Sequence, residues 1–225
     1  MMETIRIEKK ILAKNDDIAA ENRRSFQDLG VFVVTLTGSP GSGKTSLLER
    51  TVVGLRSRMR VAVMEGDVET DRDAKRIDAL DIPVVQIITN GTCHLNAGMV
   101  QNAMGRLPLE SIDLLFIENV GNLVCPASYG LGEHIRVVVM STTEGDDKPV
   151  KYPAMFRKAD AAVINKMDLL PYVSSNPADA RGFARLVNPS LEIFETSCVS
   201  GQGIPEWTEW LCNRKLCSES ARSSV

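Results

Sequence analysis

No apolar run in the sequence reaches the length of a membrane-spanning helix, and lysine and arginine nowhere gather into a basic stripe. The first absence argues against a membrane protein. The second, with a net charge of −3 and a pI of about 5.5, argues against nucleic acid as a partner. The segment Met1 to Lys14 alternates charged and apolar residues and has neither the apolar core of a signal peptide nor a basic targeting pattern. The five cysteines lack the spacing of a disulfide scaffold. A cytoplasmic, reducing location fits, where cysteine is free to be buried, reactive or metal-bound. Histidine is scarce at two residues, and no internal repeat or second domain is visible.

What the sequence does contain is ample apolar content, 44% of 225 residues, enough for one α/β domain with a substantial core. Strand-like runs recur at 31–36, 60–65, 83–88, 112–117, 135–141, 160–165 and 191–195. Helical patterns lie around 44–58, 71–80, 95–106, 151–158, 177–187 and 203–213, and a charged helix is expected over Ile7 to Phe26. Continuous apolar strands alternating with helices predict a mainly parallel sheet covered on both faces, with ligands at the carboxyl ends of the strands. The expected organisation is a helical extension over 1–30, a nucleotide-binding domain over 31–216 and a frayed, Ser-rich tail over 217–225.

The run Gly38-Ser39-Pro40-Gly41-Ser42-Gly43-Lys44-Thr45 fits G-x-x-x-x-G-K-[ST] at every fixed position. It follows the apolar run Val31 to Leu36 and precedes a helix with Leu47, Leu48, Val52 and Leu55 on one face, the context a phosphate-binding loop requires. Its backbone N–H groups, continuing into Ser46, would cradle phosphates at a helix N-terminus. Lys44 would reach the β- and γ-phosphates, and Thr45 would ligate Mg²⁺. Downstream, Asn165-Lys166-Met167-Asp168 closes the run Ala161 to Ile164. The Asp168 carboxylate can accept from guanine N1–H and the exocyclic amino group. Adenine offers neither donor on that edge, so GTP is the expected nucleotide. Asn165 would support the loop, the Lys166 stem would pack on the base, and Ser197-Cys198 would supply backbone contacts.

Two acidic strand ends complete this site. Glu65-Gly66-Asp67 follows Val61 to Met64, and Glu118-Asn119-Val120-Gly121 follows Leu114 to Ile117. An acid at such a position can hold the waters of Mg²⁺, with Asp67 favoured over Glu65. Lys44, Asp67 and Glu118 are the candidate catalytic residues. Gly121 would let the backbone approach the γ-phosphate and move when it leaves. No glutamine follows it to orient an attacking water, so slow intrinsic GTP hydrolysis is expected.

Cys93-His94 follows the third strand, and Cys125 lies four residues beyond Gly121. Thiolate and imidazole together suit Ni²⁺ or Zn²⁺. Two copies of the chain could complete such a site across a two-fold axis. From spacing alone a second reading stands equally: Cys93 as a small buried hydrophobe and His94 as a hydrogen-bonder at a helix start. Cys198, Cys212 and Cys217 lack that context as ligands, and His134 reads as a solvated loop histidine.

With these residues on view, the sequence resembles the HypB family, the nickel-incorporation GTPases of nickel–iron hydrogenase maturation, over about Ile11 to Leu211. The resemblance is carried by Asn15 to Arg23, by Glu118 to Pro126 and by Glu144 to Pro153. It implies a P-loop G domain of the SIMIBI class, which includes nitrogenase iron protein and signal-recognition GTPases and commonly dimerises face to face around nucleotide. It also implies a dimer-interface metal site at Cys93, His94 and Cys125, with Lys148 near the nucleotide and Leu169 and Val173 at positions that family dimers bury. A GTP-dependent homodimer would then pass nickel onward, with a second maturation chaperone and the hydrogenase large subunit as recipients. The Cys-rich or His-rich N-terminal segments of some members have no counterpart in Met1 to Gly30. Three alternatives remain. A urease-type nickel GTPase would carry Cys-Pro-His where Ala127 follows Cys125-Pro126. A passive nickel or zinc chaperone would not need Lys44, Thr45 and Asp168. A small-molecule kinase would leave Asn165 to Asp168 unexplained.

Overall fold

In a computed structural model describing residues 7–222, seven strands form one parallel sheet in the order β3-β2-β4-β1-β5-β6-β7. The strands are β1 (Phe32–Gly38), β2 (Val61–Asp67), β3 (Val84–Ile88), β4 (Leu114–Glu118), β5 (Ile135–Ser141), β6 (Ala161–Asn165) and β7 (Glu192–Glu195). Each expected strand is present. Three extend further toward their carboxyl ends than the apolar runs do: β1 reaches Gly38, β2 reaches Asp67 and β4 reaches Glu118. The ladder explains this, since Gly66 and Asp67 still pair with Ile87 and Ile88, and Glu65 pairs with Glu118. The acids are therefore the last residues of the sheet rather than loop residues after it.

Alternating strand residues feed two apolar layers. Phe32, Val34 and Leu36 of β1 face α2 (Lys44–Leu55) and α8 (Ile204–Arg222), packing with Leu47, Leu48, Val52, Trp207 and Leu211. Val31 and Val33 face the opposite layer with Phe26 of α1 (Ile7–Leu29) and Val100 of α4 (Ala97–Met104). Along the β5 and β6 half of that second layer, Met155 and Phe156 of α6 (Pro153–Arg157) join Ala180 and Ala184 of α7 (Pro177–Val187). Trp207 is fully buried, and its indole N–H donates to Thr51 Oγ1 at 2.8 Å, so its one polar atom is satisfied.

Three expectations are revised. The single helix expected over 151–158 is two short ones, α5 (Lys148–Lys151) and α6, because Tyr152 precedes Pro153 and is excluded from helical backbone; it sits at φ −122°, ψ 51°. The last helix does not stop near 213. It runs to Arg222 through the segment read as a frayed tail, with Lys215 paired to Glu219 one turn on; residues 223–225 lie outside the described residues. The N-terminal segment is a helix, as expected, and α1 lies against α4 and the loop before β5. His134 is not a solvated loop histidine. Its Nδ1 accepts from the Val33 N–H at 3.0 Å and its ring rests on Phe32.

Candidate functional site

A cleft of about 500 Å³ opens at the carboxyl ends of β1, β2 and β4, lined by Lys44, Thr45, Glu65, Asp67, Glu118 and Gly121. Gly41 and Gly43 take positive φ, 76° and 91°, and turn the loop into α2. Lys44 is buried and its ammonium lies 3.4 Å from the carbonyls of Gly38 and Ser39, folded over the loop it would share with phosphate. The second candidate lysine, Lys148, donates to Ser39 Oγ at 2.7 Å, so the structure brings it to the phosphate loop of its own chain.

The other wall of the site is built around Asn165. Its amide donates to the carbonyls of Ser42 and Gly43, at 3.2 and 3.4 Å. Its Oδ1 accepts from Thr196 Oγ1 and the Cys198 thiol. Lys166, in left-handed backbone at φ 62°, donates to the Gly41 carbonyl at 2.6 Å. Asp168 Oδ1 accepts from Ser197 Oγ at 2.5 Å. The phosphate loop and the segment 165–168, distant in sequence, thus form one surface, with Ser197 and Cys198 beside it. Burial raises the Cys198 thiol pKa above its ordinary value.

At the metal end of the cleft, Thr45 Oγ1 donates to Glu118 Oε1 at 2.9 Å, while Glu118 Oε2 has no partner. Glu65, its cross-strand neighbour, is also buried with Oε2 unpartnered. Desolvation raises the pKa of both carboxyls. Two buried acids facing one another with orphaned oxygens form a donor set suited to a hard cation. Asp67, the acid favoured from sequence, is engaged otherwise: Oδ1 accepts from the N–H groups of Glu69 and Thr70 at 2.9 Å each. Although partial desolvation opposes it, those bonds leave the Asp67 pKa lowered. Glu65, ranked below Asp67 from sequence, is the more deeply buried of the two. The signal for it was its place inside the buried run of β2, where an unpaired acid is costly unless a ligand compensates.

Cys93, His94 and Cys125 come together at the surface, their candidate ligand atoms all within 4.8 Å of one another. The alternative of Cys93 as a buried hydrophobe is excluded, since Cys93 is exposed. His94 packs on Tyr129 at 4.1 Å between ring centroids, and burial lowers its pKa, favouring the neutral imidazole that can ligate. Cys125 is pushed the other way, first by its hydrogen bond with Cys93 and then by desolvation.

The metal cluster and the cleft are tied by two asparagines that motif reading quoted without a role. Asn119 Oδ1 accepts from the Leu95 N–H at 2.9 Å, one residue after His94. Asn122 donates to the Cys93 carbonyl at 3.2 Å, and its own backbone bridges to Gly38. Between them Gly121 lies against Pro40 of the phosphate loop, where an added Cβ would stand 2.9 Å from the proline ring. The segment from Glu118 to Cys125 therefore touches the buried acids, the phosphate loop and the Cys93-His94 pair.

The family pattern for the nucleotide-binding domain of CobW, HypB and UreG matches residues 32–195. A hydrogenase maturation factor HypB from Azotobacter vinelandii is 53% identical over 92% of this chain and 68% of its own length. The chain belongs to the HypB family of hydrogenase maturation factors. The HypB of Escherichia coli K12 is 47% identical over 92% of the chain and 71% of its own length. Among solved structures, HypB of Archaeoglobus fulgidus superposes with a TM-score of 0.85 at 38% identity, covering 90% of this chain and 99% of that one. HypB from Helicobacter pylori, solved in complex with nickel, gives 0.87 at 37%, covering 91% and 96%. An LAO/AO transport system kinase, at 18% identity and a TM-score of 0.58, shares the fold.

Proposed function

We propose that this HypB-family member is a GTP-hydrolysing nickel carrier in hydrogenase maturation, and that nucleotide state governs when the metal is held. The observation that carries the gating is the continuous segment Glu118 to Cys125, bonded through Glu118 to Thr45, through Asn119 to the Leu95 N–H and through Asn122 to the Cys93 carbonyl. The nickel-bound family member supports Ni²⁺ as the cargo.

GTP enters with its base against Asp168 and its phosphates along Gly38 to Thr45. Lys44 exchanges the carbonyls of Gly38 and Ser39 for phosphate oxygens, and Lys148 stands ready on Ser39. Thr45 and Glu118, with Glu65 beside them and Asp67 at the rim, fit Mg²⁺, since Oε2 of Glu118 and Oε2 of Glu65 meet no donor beyond the facing carboxyl. Thr45, Glu118 and Glu65 would hold the ion there, and it would supply positive charge against the charge that develops on the phosphates in transfer. No glutamine follows Gly121, so turnover is slow until a second copy or partner completes the site. Loss of the γ-phosphate frees Gly121 and shifts Asn119 and Asn122, altering the geometry of Cys93 and Cys125. Three ligands at an exposed surface are one short of a closed four-ligand site. A two-fold dimer supplies the remainder, and the ions then pass to a maturation partner and the hydrogenase large subunit. Cytoplasmic residence accords with that role.

Coupling between the two sites is reciprocal: if GTP alters nickel affinity, nickel alters GTP affinity by the same factor. The test is equilibrium Ni²⁺ binding with mass measurement on the apo protein, with GDP and with a non-hydrolysable GTP analogue, beside Cys125→Ala. Equal nickel affinity and mass in all three nucleotide states would refute the gating.

A further inference from the structure

The segment Asn15 to Arg23 carries family resemblance, yet nothing in the nucleotide or nickel chemistry uses it directly. In the structure two of its residues are buried asparagines one helical stripe apart on α1. Asn15 Oδ1 accepts from the Ala97 N–H at 2.8 Å, and its amide donates to the Gly130 carbonyl at 2.9 Å. The Asn22 amide donates to the Ala97 carbonyl at 2.9 Å and to the Leu131 carbonyl at 3.0 Å. Both side chains therefore bridge the same two segments. One begins α4 just after Cys93 and His94. The other leads away from Cys125 and Tyr129, whose ring holds His94.

Close approach of the helix is built into the second segment. Gly132 has φ +99°, and an added Cβ would lie 2.7 Å from Asn22 Cβ and 2.9 Å from the Ala19 carbonyl oxygen. Ala19, on the same side of α1, is 3.8 Å from where a Cβ at Gly130 would be. A larger residue at Gly132 would push on the backbone of α1 and strain these bonds, whereas at Gly130 a Cβ would make ordinary contact with Ala19.

Resting on the nickel-carrier reading, we propose that Asn15 and Asn22 are positioning residues for the metal centre: α1 acts as a brace fixing the distance between the Cys93-His94 segment and the Cys125 segment. The three ligand groups sit on two loops, and neither loop is part of the sheet. Preorganisation of such a set needs a support outside it. Asparagine suits the task because its amide carries both donors and an acceptor: Asn15 holds an N–H on one segment and a carbonyl on the other, while Asn22 donates to a carbonyl on each.

The test uses the full chain with Ni²⁺ alone as probe, in Asn15→Asp, Asn22→Ala and Phe26→Leu. Asn15→Asp keeps the acceptor for Ala97 and loses the donor to Gly130. Phe26→Leu trims the buried apolar anchor of α1 and touches neither bridge. Asn15→Asp and Asn22→Ala are expected to weaken nickel binding by about tenfold and to alter the thiolate-to-nickel charge-transfer band. GTP affinity should stay within about twofold. In metal-free protein, both should slow formation of the Cys93–Cys125 disulfide with oxidised glutathione, which takes up the two electrons as the two thiols lose their protons. Phe26→Leu should lower the Tm while leaving nickel affinity and disulfide rate at wild-type values.

Wild-type disulfide rates in both asparagine variants would overturn the brace. So would Phe26→Leu reproducing their effects at an equal loss of Tm. If Cys125→Ala binds nickel as tightly as wild type, the cargo reading fails instead, and the disulfide rates alone decide the brace.

Discussion

The nucleotide cleft and the metal cluster sit side by side and are built in opposite ways. The cleft is made of strand ends and the start of α2, and its key groups hold one another: Asn165 grips the phosphate loop, Lys166 grips Gly41, and Thr45 grips Glu118. The metal cluster has three exposed or half-buried residues on two loops, and its supports come from elsewhere, from Asn119, Asn122 and α1. A site whose supports lie within its own motifs tolerates changes outside them. A site whose supports are borrowed can be switched by whatever moves the lender. On the proposed reading, this is why the phosphate end serves as the driver and the metal end as the responder.

Breaking the cleft should have the largest effect. Asp168→Asn replaces one of the two oxygens that accept from the guanine donors with an N–H group that opposes them, and the preference for GTP over ATP should fall by about 10⁴-fold in calorimetric titrations, because a site built for hydrogen bonds discriminates on that scale. Cys125→Ala should cost at least about 100-fold in Ni²⁺ affinity, the upper end of what loss of a mere outer support costs. GTP affinity of that variant in the absence of metal should be unchanged, which sharpens the contrast.

Asn119→Ala tests whether one site listens to the other. The ratio of Ni²⁺ affinities with a GTP analogue and with GDP, about 5- to 150-fold for typical allosteric coupling, should collapse toward one. An undiminished ratio would move the link to some other contact.

Acidity should affect the two regions unequally. A Cys125 proton must leave before nickel binds, and that thiol is pushed above its ordinary pKa, while His94 is pushed below its own. Nickel affinity should therefore rise between pH 6 and 8, by up to about tenfold per pH unit for each proton displaced.

The smallest effect concerns the far end of the sheet. Asp113 is held at about 2 by its bonds to the Arg60 side chain and backbone. A depressed carboxyl contributes stability above its unfolded pKa of about 4 and loses it as pH falls through the folded value. Asp113→Asn should cost under about 1 kcal/mol at pH 7, since the pair is solvent-exposed, with the difference from wild type vanishing near pH 2 in urea melts.

Legibility in the sequence followed the distance between interacting residues. Gly38 to Thr45 and Asn165 to Asp168 are local motifs with their strand and helix attached, and the structure joins them as expected. The parallel sheet was readable from buried runs such as Val137 to Met140. Glu65 was undervalued because its burial depends on pairing with β4, which no local pattern reveals. Asn15 looked like one more polar residue on a charged helix. Its partners lie 82 and 115 positions away, and only the folded chain shows them. His134 was misjudged for the same reason, its acceptor role being set by Val33, 101 positions earlier.

The strand order also governs how the chain comes together in time. β1, which leads into the phosphate loop, comes first among the described strands, but its two neighbours are β4 and β5. Phe32 waits for Leu114, and Val34 waits for Ile135. Such pairings close long loops before they return any stabilisation, and they slow folding accordingly. The strand that leads into the phosphate loop is thus flanked on both sides only after β4 and β5 have emerged behind it.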